Sequence, residues 1–276
     1  MMMKFLYLSV FFSIHSIAFG QTIQNKIAQL LREQNLPGAI CTIVDHNNID
    51  YFGSGLKNLS TGERIQKDDK VNVGSITKTV LALGVMRLAT EGRLDIDDPI
   101  RKYLPDLPIN NPWESSQVVT VRHLLDHTSG LSDLRLWHFF STDCTPRTPL
   151  YEFYKRNPEV LAIKAKPGTL FSYSNMGYTL LGMLIETIVK EPYETHLAKN
   201  LLQPLGLRNS TFHFVSQSDE QKLVMGHFDK EKIAPAMAVY VRPAGQFTTP
   251  AFDMVHLWHF ILIKGVIYGN TFIRKV

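Results

Sequence analysis

The stretch Val73–Arg93, VGSITKTVLALGVMRLATEGR, predicts the helix around which the rest of the chain is organised. It begins with a glycine and a serine and continues with good helix formers, whose apolar members are too numerous for one amphipathic stripe. Gly92 stands where a left-handed residue commonly ends a helix, and Leu94 follows it. We therefore expect a helix that opens at Ser75 and is buried on both sides.

Ser75 and Lys78 lie three residues apart, which puts both side chains on one face of the first helical turn. A serine hydroxyl becomes a good nucleophile when a nearby base removes its proton, and a half-buried lysine can do this when its neutral form is favoured. Unpaired N–H groups at the helix N-terminus suit negative charge on an attacked carbonyl oxygen. The same spacing recurs at Ser54 and Lys57, but in a strand-like segment with no helix behind it, so the first pair is the better candidate.

A second candidate segment, residues 166–192, contains Tyr173 and Asn175 on either side of one serine. A Pro-Gly turn precedes them, residues 171–175 are predicted to form a loop, and an apolar helix is predicted from Tyr178 to Val189. Residues two apart in an extended loop point the same way. The phenol and the amide can therefore project into one cleft.

The N-terminal residues 1–20 combine an early lysine, a short apolar run and small residues before Gln21. This pattern predicts a cleaved signal peptide and an exported protein, periplasmic or secreted. A membrane anchor is the alternative, but the run is short and interrupted by polar residues. In the mature part, residues 22–34 predict a helix and residues 38–56 predict a β-hairpin.

The composition is that of a globular protein, with 45% hydrophobic and 20% charged residues. The net charge of +4 comes from scattered basic residues, so the sequence predicts no nucleic-acid surface. His123 and His127 have the four-residue spacing of metal ligands on a helix, but no third ligand accompanies them. We expect packed or surface histidines and predict neither a metal nor an organic cofactor.

Five short motifs occur in an order that resembles the serine β-lactamase-related family, which holds class C β-lactamases, D-alanyl-D-alanine carboxypeptidases and related esterases. The motifs are Ser75–Lys78, His127–Leu131, Tyr173–Asn175, Gln203–Leu207 and Pro243–Gly245. The match extends over nearly the whole mature chain, and the joint occurrence is much more specific than any single motif. The second of the five is expected to be a structural marker.

The resemblance implies an α/β (α+β) fold, in which an antiparallel sheet is flanked by helices and an all-helical domain is inserted. The β-lactamase-related domain would span residues 21–276. Its sheet part would comprise residues 21–79 and 236–276, and its helical part residues 80–235.

The resemblance also implies a function, serine hydrolysis through an acyl-enzyme on β-lactams or D-alanyl peptides. Ser75 would be the nucleophile, and its N–H would be one oxyanion donor. Lys78 and Tyr173 would share the proton transfers, and either can be the general base. Asn175 would hold the substrate's amide and orient Lys78. The partner is therefore a small-molecule or peptide substrate, and no stable membrane anchor is expected after signal cleavage, while the oligomeric state stays open.

The family's third motif, Lys-Thr-Gly or His-Thr-Gly, does not occur after Val189. We therefore expect that the chain stops before the strand that carries it, for a biological reason or through an accident of the gene, and lacks its last strands. Two alternatives follow: an esterase of the same family, and a catalytically impaired penicillin-binding protein. A purely structural or interaction protein has little in its favour.

Overall fold

A computed structural model describes residues 23–45, 49–133, 135, 143–217, 222–228, 232–267 and 270–274. The predicted signal peptide, residues 1–20, lies outside the described residues, as does the tip of the predicted hairpin, residues 46–48. The described chain has an α/β fold of helices and small antiparallel sheets, as the sequence predicts.

The labelled helices and strands follow one another along the chain. They are α1 (23–33), β1 (Gly38–Val44), β2 (Ile49–Asn58), β3 (Glu63–Arg64), β4 (Lys70–Asn72), α2 (Ile76–Thr90), α3 (Val121–Leu125), α4 (Tyr151–Arg156), α5 (Asn175–Val189), α6 (Tyr193–Leu197), β5 (Gly226–His227), β6 (Ile233–Ala234), α7 (Arg242–Gly245), β7 (Thr248–Pro250), α8 (Ala251–Leu262), β8 (Val266–Ile267) and β9 (Asn270–Thr271). Short 3₁₀ segments cover Ile100–Lys102 and Pro158–Leu161, and a π-helical turn covers Ala198–Leu202.

The chain divides into two compact units. The first consists of the described residues within Met1–Val71, Ser216–Ala236 and Pro250–Leu262, and the second of those within Asn72–Val215, Met237–Thr249 and Ile263–Val276. The division into a sheet part and a helical part that the resemblance implies stays a prediction.

A three-stranded antiparallel sheet forms the centre of the first unit, in the order β1-β2-β3. The predicted hairpin pairs along the full length of β1, from Gly38 opposite Gly55 to Val44 opposite Ile49. Helix α8 packs on this hairpin, and its aromatic Phe252 meets Tyr51 edge to face, with ring centroids 5.4 Å apart. The helix thereby covers one face of the sheet with apolar side chains.

In the second unit, α2 is buried on both sides, as predicted. No residue from Val80 to Thr90 is exposed, and only Ile76 at the start of the helix, at 39%, departs from the expected burial of the apolar positions. The helix ends as the sequence predicts, because Gly92 adopts φ +71° and its N–H and that of Arg93 bond back to carbonyls of the last turn.

Helix α5 approaches the short helix α7 closely because it carries a glycine at the crossing. A Cβ on Gly182 would lie 2.6 Å from Cγ of Pro243, a distance that real side chains do not adopt. Helix α2 contacts both of these helices. The N-terminal turns of α2 and α5 are thereby brought to the same place as the main chain of α7.

Candidate active site

Ser75 is positioned by a tight turn just before α2. Gly74 adopts φ +51°, in the left-handed region where a side chain would be strained. The Val73 N–H donates to the Phe247 carbonyl oxygen (3.0 Å), and the Phe247 N–H donates to the Thr77 hydroxyl (3.0 Å). The main chain is therefore tied down on both sides of the serine, whose own side chain stays exposed at the helix N-cap.

Lys78 lies one turn further along α2 and is buried, with 5% of its surface exposed. Its Nζ donates to Asn175 Oδ1 (2.7 Å) and to the Ala244 carbonyl oxygen (2.8 Å). The same nitrogen lies 3.3 Å from Ser75 Oγ. These three partners are uncharged, and no carboxylate of the described residues is in direct contact with the amine.

Tyr173 supplies the second group beside the serine, because its hydroxyl lies 2.6 Å from Ser75 Oγ. His127 holds the tyrosine loop: its carbonyl oxygen accepts from the Ser172 N–H (2.7 Å), and its Nδ1 accepts from the Ser174 N–H (3.1 Å). The imidazole also packs on the phenol ring, with centroids 4.5 Å apart. The residue predicted to be a structural marker therefore supports the candidate site directly.

Asn175 is the first residue of α5, three residues earlier than the predicted start at Tyr178, because the Ser174 hydroxyl caps the first turn. The carbonyl end of the Asn175 amide faces Lys78. Its Nδ2 donates to both carboxylate oxygens of Asp133 (3.0 and 2.9 Å), and its backbone N–H donates to Oδ1 of the same carboxylate (2.9 Å).

The Ala244 carbonyl is held in place by a buried ion pair. Arg242 Nε lies 2.6 Å from Glu194 Oε1, and each side chain is 6% exposed. The same guanidinium donates from Nη1 to the Thr148 carbonyl oxygen (2.7 Å). Because α7 is anchored through this arginine, its main-chain oxygen presents a fixed acceptor to Lys78.

Burial sets the protonation of the groups around the serine. It lowers the pKa of Lys78, and the opposing influence of Tyr173 and the Asp133 carboxylate does not outweigh it. The pKa of His127 is lowered by burial and by the nearby lysine, while burial raises the pKa of Tyr178 to about 12. The imidazole and the Tyr178 phenol are therefore neutral at neutral pH, and the lysine loses its proton more readily than a free lysine does.

The structure brings together all four predicted site residues, Ser75, Lys78, Tyr173 and Asn175. Sequence reasoning missed two of their partners, Asp133 and the Ala244 carbonyl. The aspartate lies 42 residues before Asn175, so no local spacing joins them. The role of the Ala244 oxygen does not depend on the side chain at that position, so residue type does not predict it. The place of Ala244 in the Pro243–Gly245 motif was the only indication in the sequence.

No metal site emerges in the part of the chain that the structure describes, where no group of three or more His, Cys, Asp or Glu side chains is arranged to hold an ion. His123 accepts at Nδ1 from the Thr120 N–H (3.2 Å) in a capping box at the start of α3. Within the described ranges, no helix combines the length and the apolar character needed to span a bilayer.

Comparison with known sequences finds relatives over most of the chain. The family model described as Beta-lactamase matches residues 23–258. Esterase EstB of Burkholderia gladioli is 30% identical over 225 residues, which cover 78% of this chain and 57% of the esterase. Protein flp of Staphylococcus aureus strain MW2 is 26% identical over 246 residues, which cover 86% of this chain and 47% of flp. The chain thus spans about half the length of these relatives.

Solved structures share the fold. The octameric penicillin-binding protein homologue from Pyrococcus abyssi matches with a TM-score of 0.75 and 26% identity, over 89% of this chain and 57% of the homologue. The D-alanine carboxypeptidase AmpC from Burkholderia cenocepacia matches with a TM-score of 0.72 and 22% identity, over 91% of this chain and 66% of the carboxypeptidase. At 22% identity, the similarity to the carboxypeptidase is evidence for the fold alone.

Proposed function

Because the chain belongs to the β-lactamase family, we propose that it is a serine hydrolase that forms an acyl-enzyme at Ser75, with β-lactams or D-alanyl-D-alanine peptides as substrates. One observation carries the proposal: Ser75 Oγ lies 2.6 Å from the Tyr173 hydroxyl and 3.3 Å from Lys78 Nζ. A hydroxyl in this position can pass its proton to either neighbour while it attacks a carbonyl carbon.

The contacts of Lys78 also support a role in proton transfer. A neutral amine has two N–H donors and one lone pair. The two shortest contacts of Nζ, to Asn175 Oδ1 and the Ala244 oxygen, are to groups that only accept, so they take the two N–H donors. The lone pair is then left in the direction of Ser75, where it can receive the hydroxyl proton.

The proposed reaction has two stages. Ser75 Oγ bonds to the substrate carbonyl carbon, its proton passes to Lys78 or Tyr173, and the Ser75 N–H stabilises the oxyanion. Collapse of the tetrahedral intermediate breaks the bond to the leaving group, which takes this proton through Tyr173. Water then attacks the acyl carbon and gives its proton to the same groups, which return it to Ser75 Oγ as the acyl bond breaks.

Ester hydrolysis is the second candidate, because the relative with 30% identity is an esterase, EstB. The same groups would act on an ester carbonyl, with an alcohol as the leaving group. The predicted signal peptide adds the proposal that the substrate is met outside the cytoplasm.

The proposed function is tested by intact-mass analysis of the purified protein after incubation with benzylpenicillin and, separately, with p-nitrophenyl valerate. Penicillin is expected to add its mass to the wild type and not to Ser75→Ala, since that variant lacks the nucleophile. Tyr173→Phe is expected to acylate about 10²-fold more slowly, because the group nearest the serine oxygen is lost.

The outcomes separate the candidates. An adduct that decays with release of product supports a hydrolase, whereas a stable adduct supports the penicillin-binding alternative. Ester turnover without penicillin labelling supports the esterase. Circular dichroism checks that the wild type is folded. If the folded protein is not labelled by either compound and hydrolyses neither of them, the proposed function is refuted.

A further inference from the structure

The two ends of the Asn175 amide are engaged by partners of opposite kind. Its oxygen accepts from Lys78 Nζ (2.7 Å), and its nitrogen donates to both oxygens of the Asp133 carboxylate (3.0 and 2.9 Å). We propose that Asp133 is a positioning residue that fixes this amide, so that the site favours simple esters over substrates with an acylamino group that needs the amide nitrogen of Asn175. The inference rests on the proposed acyl-enzyme at Ser75, and it favours the second candidate, ester hydrolysis, over β-lactams and D-alanyl peptides, which carry an acylamino group.

The amide has only one orientation that satisfies both neighbours. If oxygen and nitrogen were exchanged, the carbonyl oxygen would face the carboxylate of Asp133, and the NH₂ group would face the N–H donors of Lys78. Both contacts would then be repulsive. The Asn175 N–H donates to the same carboxylate (2.9 Å), which adds a third attachment to the start of α5.

The amide nitrogen of Asn175 carries two N–H groups, and both of its hydrogen bonds go to the Asp133 carboxylate. The resemblance to the β-lactamase-related family led us to expect that this amide would hold the substrate's own amide. A neutral carbonyl of an acylamino substrate would have to displace a carboxylate, and hydrogen bonds to ionised acceptors are roughly twice as strong as neutral ones. An ester without an acylamino group makes no such demand and leaves the contact intact.

Asp133 also acts on Lys78 through Asn175. With the amide fixed, Oδ1 remains an acceptor for the amine, and the lone pair of the neutral amine keeps its direction toward Ser75. Asp133 is exposed at the surface and does not contact the serine oxygen in the described structure. Its role is therefore that of a support for the reacting groups.

The test compares two esters of equal chain length, p-nitrophenyl valerate and p-nitrophenyl N-acetylglycinate. Each kcat/KM is divided by the hydroxide-catalysed rate constant of the same ester, which removes the difference in chemical reactivity. The wild type is expected to favour the valerate. Asp133→Ala frees the amide nitrogen, so the preference is expected to move about tenfold toward the N-acetylglycinate, the upper size of one neutral hydrogen bond.

Two further variants sharpen the comparison. Asp133→Asn keeps one acceptor oxygen for the amide and is expected to show an intermediate preference. Asp97→Asn removes a carboxylate that also accepts two hydrogen bonds, from Arg122 (2.6 and 2.8 Å), and is expected to leave the preference unchanged. A preference that stays within twofold of the wild type in Asp133→Ala would overturn the proposal, as would a wild type that favours the N-acetylglycinate.

A spectroscopic readout keeps this inference separate from the proposed function. In protein labelled with ¹⁵N-asparagine, the side-chain NH₂ signals of Asn175 are assigned by their loss in Asn175→Asp. Asp133→Ala is expected to shift them upfield, because the carboxylate acceptor is gone, and Asp97→Asn is expected to leave them in place. Unchanged signals in Asp133→Ala would refute the positioning role even if neither ester were hydrolysed. The proposed function is refuted by a different result, the absence of both ester hydrolysis and penicillin labelling.

Discussion

The chain contains the Ser-x-x-Lys spacing twice, and the two copies end in different environments. Ser54 and Lys57 lie in β2 of the first unit, whereas Ser75 and Lys78 lie at the start of α2 in the second. In the helix, three residues make almost one turn, so the serine oxygen and the lysine nitrogen come within 3.3 Å. In the strand the chain is extended and bends at Gly55, which adopts φ +88°.

The two lysines are both 5% exposed but have partners of different charge. Lys57 Nζ lies 2.6 Å from Glu63 and 3.2 Å from Asp69, while Lys78 Nζ donates to neutral carbonyl oxygens. Burial alone would lower the pKa of Lys57, but the interactions with its two carboxylates outweigh burial, and the net result is a raised pKa. Burial prevails at Lys78, whose pKa is lowered. Burial therefore lowers the pKa of a lysine, and so favours its neutral form, only where no carboxylate pairs with it.

The largest expected difference between the two copies is catalytic. Lys78→Met is expected to lower kcat/KM for an ester or a β-lactam by about 10²- to 10⁴-fold, the range for loss of a general base. Lys57→Met, which keeps a similar apolar stem, is expected to leave kcat/KM within about threefold. Steady-state kinetics at neutral pH measure both. A Lys78→Met variant that retained a tenth of the wild-type rate would break the comparison.

The next largest difference is in stability, where the substitution of Lys57 is expected to have the larger effect. Lys57→Met is expected to lower the free energy of unfolding by about 3 kcal/mol, because it leaves the carboxylate of Asp69, 2% exposed, buried without its cation. Lys78→Met leaves no buried charge behind and is expected to cost less. Urea unfolding measures both. The control is Glu63→Gln, whose more exposed carboxylate is expected to contribute about 1 kcal/mol or less; an equal loss there would contradict the reason given.

The smallest expected effect is on the pH dependence of stability, which is expected to have opposite signs for the two lysines. The pKa of Lys78 is lower in the folded than in the unfolded chain, so the stability of the wild type relative to Lys78→Met is expected to rise with pH from the folded pKa up to about 10.5. The pKa of Lys57 is raised by folding, so its contribution is present below about 10.5 and is lost as pH rises through the folded value. Urea unfolding at several alkaline pH values tests the pair of slopes, and equal signs would contradict it.

Local sequence predicted the parts of the site that depend on local geometry. The glycine after α2 and the spacing of Ser75 and Lys78 both follow from helix rules. The start of α5 at Asn175 was missed although Ser174 is a favourable capping residue, because the loop was extended through the Tyr-x-Asn motif. The juxtaposition of Tyr173 with Ser75 rested on resemblance to a family, since 98 residues separate them.

The sequence by itself determined the family, the α/β fold and the helix that carries Ser75, because apolar periodicity, caps and ordered motifs are written along the chain. Only the tertiary structure decided which lysine has a lowered pKa, because the charge of its acceptors depends on segments remote in sequence. It likewise decided that Asp133 occupies the amide nitrogen of Asn175, because that contact joins the start of α5 to a residue 42 positions earlier in the chain. Spacing along the chain fixes what one element can present, whereas packing between elements fixes the partners and protonation of each group.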